Sequence, residues 1–193
     1  MRVLIIQGHP DSSGSHLCHA LAEVYGQGAR IAGHSVRELD VARLGLPLLR
    51  SKQDWESGAP PEGVRASQEA IEWAEHLVIV YPLWLGDVPA VLKGFFEQVL
   101  RPGFARMPGA SGGFGAQRLR GKSARIVVTM GMPASVYRWF YRSHGLRSLR
   151  RNILAFCGIA PVRSTLIGMV EAGGIGRGRR LLRRMRRLGA KAR

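Results

Sequence analysis

The sequence predicts a three-layer α/β/α fold around a five-stranded parallel sheet in the order 2-1-3-4-5. Apolar runs of strand length alternate five times with segments that carry apolar residues at helical spacing. The runs at 3–6, 77–81 and 126–128 are apolar throughout, which is typical of strands covered on both faces. The order is the common arrangement for five strands joined in this way. We therefore expect a single domain spanning residues 1–193.

The elements can be assigned along the chain in order. The predicted strands are 2–7, 34–40, 77–81, 124–130 and 162–169. The predicted helices are one that begins near Ser15 and others at 64–75, 88–100, 146–157 and 179–188. Between them, residues 43–63 are expected to form a surface loop. The glycine-rich residues 101–117 are expected to form a flexible flap, because glycine leaves the backbone free where no apolar pattern anchors it.

The composition is that of an ordinary globular protein, with 46% hydrophobic and 22% charged residues. No apolar run approaches the roughly 20 residues that cross a bilayer. The first apolar run, residues 3–6, is too short for the core of a secretion signal, so we expect a cytoplasmic protein. Cys18 and Cys157 fall in predicted helices, where a free thiol is usually a core residue. Neither has the neighbours of a metal site, and none is expected.

The net charge of +16 is concentrated in one part of the chain. Residues 1–117 contain 10 Lys and Arg against 12 Asp and Glu, whereas residues 118–193 contain 19 against the single acid Glu171. Much of this charge lies in a basic C-terminal helix at 177–193. The first interpretation is a helix docked on the sheet with a solvated basic face. Contact with an anionic membrane ranks second, and nucleic-acid binding, for which no motif is present, ranks third.

Three predicted loops follow strands 1, 3 and 4, which are neighbours in this sheet order, so the loops share one edge. Residues 8–14 lead from a strand to a helix start, where backbone N–H groups and the helix dipole favour a phosphate. Ser15 as a plain N-cap is an equally supported alternative. Residues 82–89 are apolar and aromatic between two prolines, which suits a flat, largely uncharged ring. The third loop is 131–137.

At this point the motifs resemble a known family. The stretch YPLWLGDVPAVLKGFFEQVLRPGFA resembles the signature of the flavodoxin-like NAD(P)H:quinone oxidoreductases, the DT-diaphorase group, in which a Pro-Leu loop, a Pro-Ala-x-Leu-Lys-Gly helix start and a Gly-Phe-Ala ending recur. GHPDSSGS resembles the first motif of the family, and LRGKSARIVVTMGMPASVYRWFYRSHG resembles its third. The resemblance implies a homodimeric flavoprotein that passes hydride from NADH or NADPH to a quinone or a related acceptor.

The resemblance also implies a set of site residues. The flavin phosphate or pyrophosphate would be held by His9, Ser15, His16 and Leu17. The ring would lie along Pro82, Leu83, Trp84 and Leu85, largely through backbone N–H groups, with its other edge on Thr129, Met130, Gly131 and Met132. The catalytic candidates are Tyr137 and His144. Near the pyrimidine end, a hydroxyl or an imidazole can stabilise the negative charge that a flavin gains on reduction.

Several alternatives stay open at this stage. His144 can be a solvated surface residue, Tyr137 can serve packing alone, and Trp84 can be a core aromatic. The motif also departs from the family, since His16 and Leu17 stand where Phe-Asn is common. The sequence therefore does not decide whether the flavin is FMN or FAD. It also does not decide whether the hydride donor is NADH or NADPH. The alternative function is non-enzymatic, either a flavodoxin-like electron carrier, against which the basic charge argues, or a regulatory subunit of a membrane transporter.

Overall fold

The computed structural model describes residues 1–56, 58–107, 115–172 and 174–192. Its centre is a five-stranded, all-parallel sheet in the order β2-β1-β3-β4-β5. The strands are β1 (Arg2–Gln7), β2 (Ser35–Asp40), β3 (His76–Pro82), β4 (Ser123–Thr129) and β5 (Val162–Ile167). The predicted fold class and strand order are therefore confirmed.

Helices cover both faces of the sheet. They are α1 (Leu17–Ile31), α2 (Lys52–Glu56), α3 (Glu62–Trp73), α4 (Ala90–Val99), α5 (Ala134–Trp139), α6 (His144–Ser148) and α7 (Ile175–Ala190). A 3₁₀ turn, Val41–Arg43, follows β2, and a π-helical stretch, Leu149–Ala155, continues α6. In the part of the chain that the structure describes, none of the helices has the length and hydropathy of a membrane span.

The central strands β1, β3 and β4 are buried because successive side chains point to opposite faces and each face has its own apolar cluster. Ile6, Ile79 and Ile126 point toward one cluster, which includes Phe95 of α4. The alternate positions point toward the second, formed with α1 and α7 and including Val3, Ile5, Val78, Val127 and Met185. Burial on both faces explains why the central strands are apolar throughout.

Helix α7 is held tightly against α1. A Cβ added at Gly28 would lie 2.1 Å from the carbonyl oxygen of Arg186, and one at Gly189 would lie 2.0 Å from that of Tyr25. The two backbones therefore approach at distances that only glycine permits. Met185 is buried in the contact, while the arginines of α7 point outward. This is the arrangement that the first interpretation of the basic helix predicts.

The local structure differs from the sequence predictions in several places. Helix α1 begins at Leu17, two residues later than predicted, and the segment after β2 contains the short helix α2. The predicted helix at 146–157 begins earlier and becomes π-helical after Ser148, and α5 occupies part of the predicted loop 131–137. Of the predicted flap, residues 108–114 lie outside the described residues. At its start, Arg101 and Ala105 are buried, and the flexible flap stays a prediction.

Candidate functional site

The three loops predicted to share an edge do meet at the carboxyl edge of the sheet. The N–H of Gly8, after β1, donates to the carbonyl of Val80 in β3 at 2.8 Å. The N–H of Leu83, after β3, donates to the carbonyl of Thr129 at the end of β4 at 2.7 Å. Backbone hydrogen bonds therefore join β1 to β3 and β3 to β4 at the point where the loops begin.

The loop after β1, residues 8–16, is organised around Asp11. Its carboxylate accepts hydrogen bonds from the N–H and hydroxyl of Ser13 at 2.8 and 2.6 Å, and pairs with Nε2 of His16 at 2.8 Å. These contacts hold the pKa of Asp11 far below its usual range. The N–H of Asp11 donates to Nδ1 of His9 at 3.1 Å, and the rings of His9 and His16 stack with centroids 3.9 Å apart. Asp11 thus fixes both predicted histidines, His16 through its carboxylate and His9 through its backbone.

A third imidazole, His19, lies one turn into α1, with its ring centroid 5.4 Å from that of His9 and 5.6 Å from that of His16. Burial lowers the pKa of His9, and its imidazole neighbours lower it further. Although three histidines gather here, no group of His, Cys, Asp or Glu within the described ranges is arranged to hold a metal ion.

The start of α1 supplies the other half of this loop. The N-cap residue is His16, whose side chain makes no capping bond to the described residues, and Ser15 is exposed outside the helix. The N-cap alternative for Ser15 is therefore wrong. The N–H of His19 donates to the carbonyl of His16 at 3.0 Å, whereas those of Leu17 and Cys18 have no acceptor among the described residues, so these two can meet a phosphate.

The loop after β3 is a tight turn at its tip. The N–H of Trp84 donates to the carbonyl of Asp87 at 3.1 Å, and the N–H of Asp87 donates back at 2.9 Å. Leu85 and Gly86 between them both have left-handed backbones, with φ of 47° and 82°. The Trp84 side chain is 52% exposed and Leu85 is fully exposed. Trp84 is therefore not a core aromatic.

These hydrogen bonds correct one expectation about the ring contacts. The N–H groups of Leu83 and Trp84 already donate within the protein, to Thr129 and Asp87. Among the described residues, only the N–H of Leu85 in this trio has no acceptor. A ring on this loop would therefore meet the side chain of Trp84 and the backbone of Leu85, rather than a row of three free N–H groups.

The loop after β4 has two kinds of residue. Thr129 and Met130 are buried, and the Thr129 hydroxyl lies 3.2 Å from Sγ of Cys18 in α1, so neither side chain faces outward. Gly131 is exposed, and a Cβ added there would meet nothing within 4 Å. The carbonyl of Met132 accepts the N–H of Met169 at 3.1 Å. The segment after β5, which sequence reasoning did not connect to the site, therefore supports this loop.

Tyr137 and His144 lie where the loops after β3 and β4 join. The Tyr137 hydroxyl accepts the N–H of Leu146 at 3.1 Å and lies 3.5 Å from the carbonyl of Gly86, and burial raises its pKa. A Cβ added at Gly145 would lie 2.5 Å from the same carbonyl. Tyr137 is buried and His144 is exposed as the first residue of α6. Tyr137 thus has a packing role, and the catalytic roles of both stay predictions.

Several buried polar atoms at this edge lack a hydrogen-bond partner within the described residues. They are Nε2 of Gln7 at the end of β1, Oη of Tyr81 near the end of β3, and both ring nitrogens of His19. Unpaired buried polar groups are rare in folded proteins and call for a ligand or a water. The sequence prediction missed four residues at this edge, Asp11, Ser13, His19 and Tyr81. For His19 a signal was readable, because it follows His16 by three residues and so lies on the same helix face. A polar ligand such as a flavin nucleotide fits this edge.

A parallel sheet of this order, with three loops meeting outside the carboxyl ends of its central strands, is a nucleotide-binding arrangement. A family model for the flavodoxin-like fold matches residues 1–188, and the chain belongs to this family. A Haemophilus influenzae protein named as an uncharacterized NAD(P)H oxidoreductase is 30% identical over 175 residues, covering 89% of this chain and 85% of the relative.

Solved structures agree with this assignment. The NAD(P)H:quinone oxidoreductase from Methanothermobacter marburgensis superimposes with a TM-score of 0.82 at 26% identity, covering 99% of this chain and 96% of that one. An FMN-dependent NADH-azoreductase from Bacillus anthracis, solved in complex with FMN, has a TM-score of 0.76 and covers 98% of each chain at 13% identity, which is a likeness of fold. The resemblance stated from the motifs is therefore confirmed at the level of the family.

Proposed function

We propose that this protein is a flavin-dependent oxidoreductase that takes hydride from NADH or NADPH and reduces a quinone or a related acceptor. One observation carries the proposal: the loop that leads into the start of α1 and the tight apolar turn 84–87 meet at one edge of the sheet. The similarity to NAD(P)H oxidoreductases supports the same reaction class. A bound flavin, FMN or FAD, would supply a ring that accepts and donates hydride, chemistry that no protein side chain provides.

The phosphate end of the flavin would bind to the loop after β1. The N–H groups that begin at Leu17 and the positive end of the α1 dipole favour a negative group there. His16 and His9 would add imidazole donors, held in place by Asp11. Ser15, exposed beside the helix start, has a free hydroxyl to offer. This end would be recognised by charge and by hydrogen bonds.

The ring end would be held by shape. Trp84 and Leu85 form one wall, and the open space beside Gly131 and Met132 receives the other edge. The raised pKa of Tyr137 keeps its hydroxyl protonated, so it can donate a hydrogen bond at the ring's pyrimidine end, and the His144 imidazole can act beside it.

We also propose a homodimer. An apolar hollow of about 380 Å³ lies between α4, the residues after Arg101 and the π-helical stretch, and its walls include Trp55, Met107 and Phe156, all partly exposed. Exposed apolar surface of this kind often marks a protein contact. A second copy of the chain is the partner that the family resemblance implies. Sedimentation equilibrium measures the mass, and Phe156→Asp is expected to shift a dimer toward the monomer.

The central experiment is reconstitution. The purified protein is mixed separately with FMN and with FAD, the bound flavin is identified by mass, and oxidation of NADH and NADPH is followed with and without a quinone. We expect one flavin to bind and quinone-dependent oxidation of a nicotinamide to follow. Flavin binding without oxidation would favour the carrier or regulatory alternative, and absence of both would contradict the proposal.

A matched pair of variants tests where the ring lies. Gly131→Leu fills the space next to Met132 without a clash in the free protein, so its melting temperature should be unchanged while flavin affinity falls by about tenfold or more. Gly176→Leu adds the same side chain at another open position, in the first turn of α7, and should leave flavin affinity unchanged. Equal affinities for the two variants would place the ring elsewhere.

A further inference from the structure

Three consecutive aromatic side chains project from the end of α5. Trp139, Phe140 and Tyr141 are 75%, 78% and 48% exposed. Arg138 lies 5.5 Å from the centre of the Trp139 ring, and Arg142 follows the triplet. Single exposed apolar residues are common, but a contiguous group of this size marks a surface that meets something other than water.

A basic groove lies directly beside this triplet. It has a volume of about 640 Å³ and runs along the edge strand β5, between α5, α6 and α7. Its walls include Trp139 and four arginines from separate segments, Arg138, Arg147, Arg150 and Arg184, and no carboxylate. Four positive charges around one groove repel each other unless an anion is present, so the groove is suited to anionic groups.

The groove continues onto the outer face of α7. Arg180, Arg183, Arg184 and Arg187 line a second depression of about 470 Å³, and Arg184 belongs to both. We call the whole surface the basic–aromatic face, formed by Arg138, Trp139, Phe140, Tyr141, Arg147, Arg150, Arg180, Arg183, Arg184 and Arg187. With Glu171 as the single acid after residue 117, few negative charges oppose this positive field.

Helix α7 cannot supply the apolar part of a membrane contact by itself. Apart from Ile175 at its first position, which is 80% exposed, its apolar side is packed on the protein, with Met185 buried and with Gly189 in backbone contact with α1. A basic helix of this kind attracts anionic headgroups but needs apolar side chains for stable binding at the interface. The exposed triplet on α5 provides them, because tryptophan and tyrosine favour the headgroup region and phenylalanine enters the acyl boundary.

We propose that the basic–aromatic face binds the surface of an anionic lipid bilayer. The arginines pair with headgroup phosphates, and Trp139 and Phe140 enter the interface. This surface is larger than the basic C-terminal helix alone, and it does not depend on the proposed redox function. Single-stranded nucleic acid is a poorer match, because Phe140 and Tyr141 meet edge to face at 84° and offer no parallel platform for successive bases.

Vesicle flotation tests this proposal on the full chain. The probes are vesicles of phosphatidylcholine alone and of phosphatidylcholine with about a third phosphatidylglycerol. We expect binding to the anionic vesicles only, weakened by salt. Each of Arg180→Ser, Arg183→Ser and Arg187→Ser should lower the partition coefficient by about fivefold. Trp139→Ser with Phe140→Ser should lower it by about tenfold or more, since that much apolar surface leaves the bilayer.

Two variants outside the face serve as matched controls. Arg65→Ser removes an exposed arginine from α3, and Leu48→Ser removes an apolar side chain that is 66% exposed before α2. Neither should change the partition coefficient. Thermal melting of every variant shows that the fold is kept. As a second readout, lipids with brominated chains should quench more of the tryptophan emission of the original protein than of Trp139→Phe.

Distinct results would overturn the proposal. One is equal binding to neutral and anionic vesicles, and another is a charge effect with no effect of the aromatic pair, which would leave only nonspecific attraction. A third is an aromatic variant that turns a dimer into a monomer while vesicle binding is absent, which would make the face a subunit interface. A fourth is that the aromatic variant loses oligonucleotide binding to the same extent as it loses vesicle binding, which would assign the face to nucleic acid.

Discussion

The loops after β1 and β3 reach the same edge of the sheet but are held in opposite ways. The first is held by exposed, titratable side chains around Asp11, with two stacked imidazoles. The second is held by backbone hydrogen bonds within the turn 84–87 and by the close packing of Gly145 on Gly86. The first loop thus offers charged and hydrogen-bonding groups, and the second offers an apolar wall. The contrast supports the proposal that the two loops would hold different parts of one ligand.

The largest expected effect comes from breaking the rigid loop. In Gly145→Ala, the new Cβ would lie 2.5 Å from the carbonyl of Gly86 and 2.7 Å from Cα of Asp87. Because both are backbone atoms, α6 must move away, and we expect a loss of roughly 1–3 kcal/mol in the free energy of unfolding. Urea unfolding measures it. Gly131→Ala at the same edge has open space and should change stability by less than about 0.5 kcal/mol.

Tyr137→Phe tests the hydrogen bond between the Tyr137 hydroxyl in α5 and the N–H of Leu146 in α6. It leaves the buried N–H of Leu146 without its acceptor, so we expect roughly 1–2 kcal/mol of lost stability. If the hydroxyl also acts in the reaction, kcat at saturating flavin should fall by about tenfold or more. Tyr141→Phe, on an exposed tyrosine, should change neither quantity. An unchanged kcat would limit Tyr137 to its packing role.

In the adaptable loop, His16→Ala should change ligand affinity and leave the fold intact. His16 is half-exposed and its contacts are to Asp11 and His9, so stability should be nearly unchanged. We expect FMN affinity to fall by about threefold to tenfold, with no change for riboflavin, which lacks the phosphate. Isothermal titration with FMN and with riboflavin gives the ratio of the two affinities. His34→Asn, on a partly exposed histidine before β2 and away from this edge, should leave the ratio unchanged.

The smallest expected effect is on pH dependence. Burial lowers the pKa of His9 below 6.5, so its protonation is delayed to lower pH. A bound phosphate favours the protonated imidazole, so the ratio of FMN to riboflavin affinity should rise by about twofold to threefold between about pH 7.5 and about pH 5.5. The phosphate itself titrates near pH 6, so the comparison is made against His9→Asn, in which only the imidazole contribution disappears.

The lowered pKa of His9 also affects the stability of the ligand-free protein, and there acidification has an unfavourable effect. The unfolded state binds a proton on His9 more readily than the folded state, so the ligand-free protein should lose stability as the pH falls below 6.5. In His9→Asn this part of the pH dependence should be absent. Unfolding curves at several pH values check the sign, and a stability that rises on acidification would contradict it.

The sheet could be predicted from the sequence because its central strands β1, β3 and β4 are continuous buried runs, and the connection rules leave few strand orders. Helix α5 could not, because six residues after Pro133 are too few for a periodic pattern. The π-helical turn after Ser148 was also unreadable, since it shifts the register of one turn without changing which residue types are apolar.

The site was predictable as three loops but not in its detailed contacts. The approach of His9 to His16 depends on the bend around Asp11, which spacing alone does not reveal. The satisfied N–H groups of Leu83 and Trp84 follow from a turn with Leu85 in a left-handed conformation, which is uncommon for a leucine and has no sequence signal. The roles of Trp84 and Gly131 at a bound ring therefore stay predictions, and the structure corrects only the expected use of the Leu83 N–H, which already donates to Thr129.

The backbone contact between α1 and α7 also bears on how this protein is made. Helix α7 is synthesised long after α1, yet Gly28 and Gly189 fit only against each other's helix. Until α7 leaves the ribosome, the apolar cluster that contains Val127 and Ile167 has α1 but lacks Met185 and the rest of the cover that α7 provides. Folding during translation therefore cannot be completed early, and a premature stop before Met185 would release a chain with an open core that is prone to aggregate.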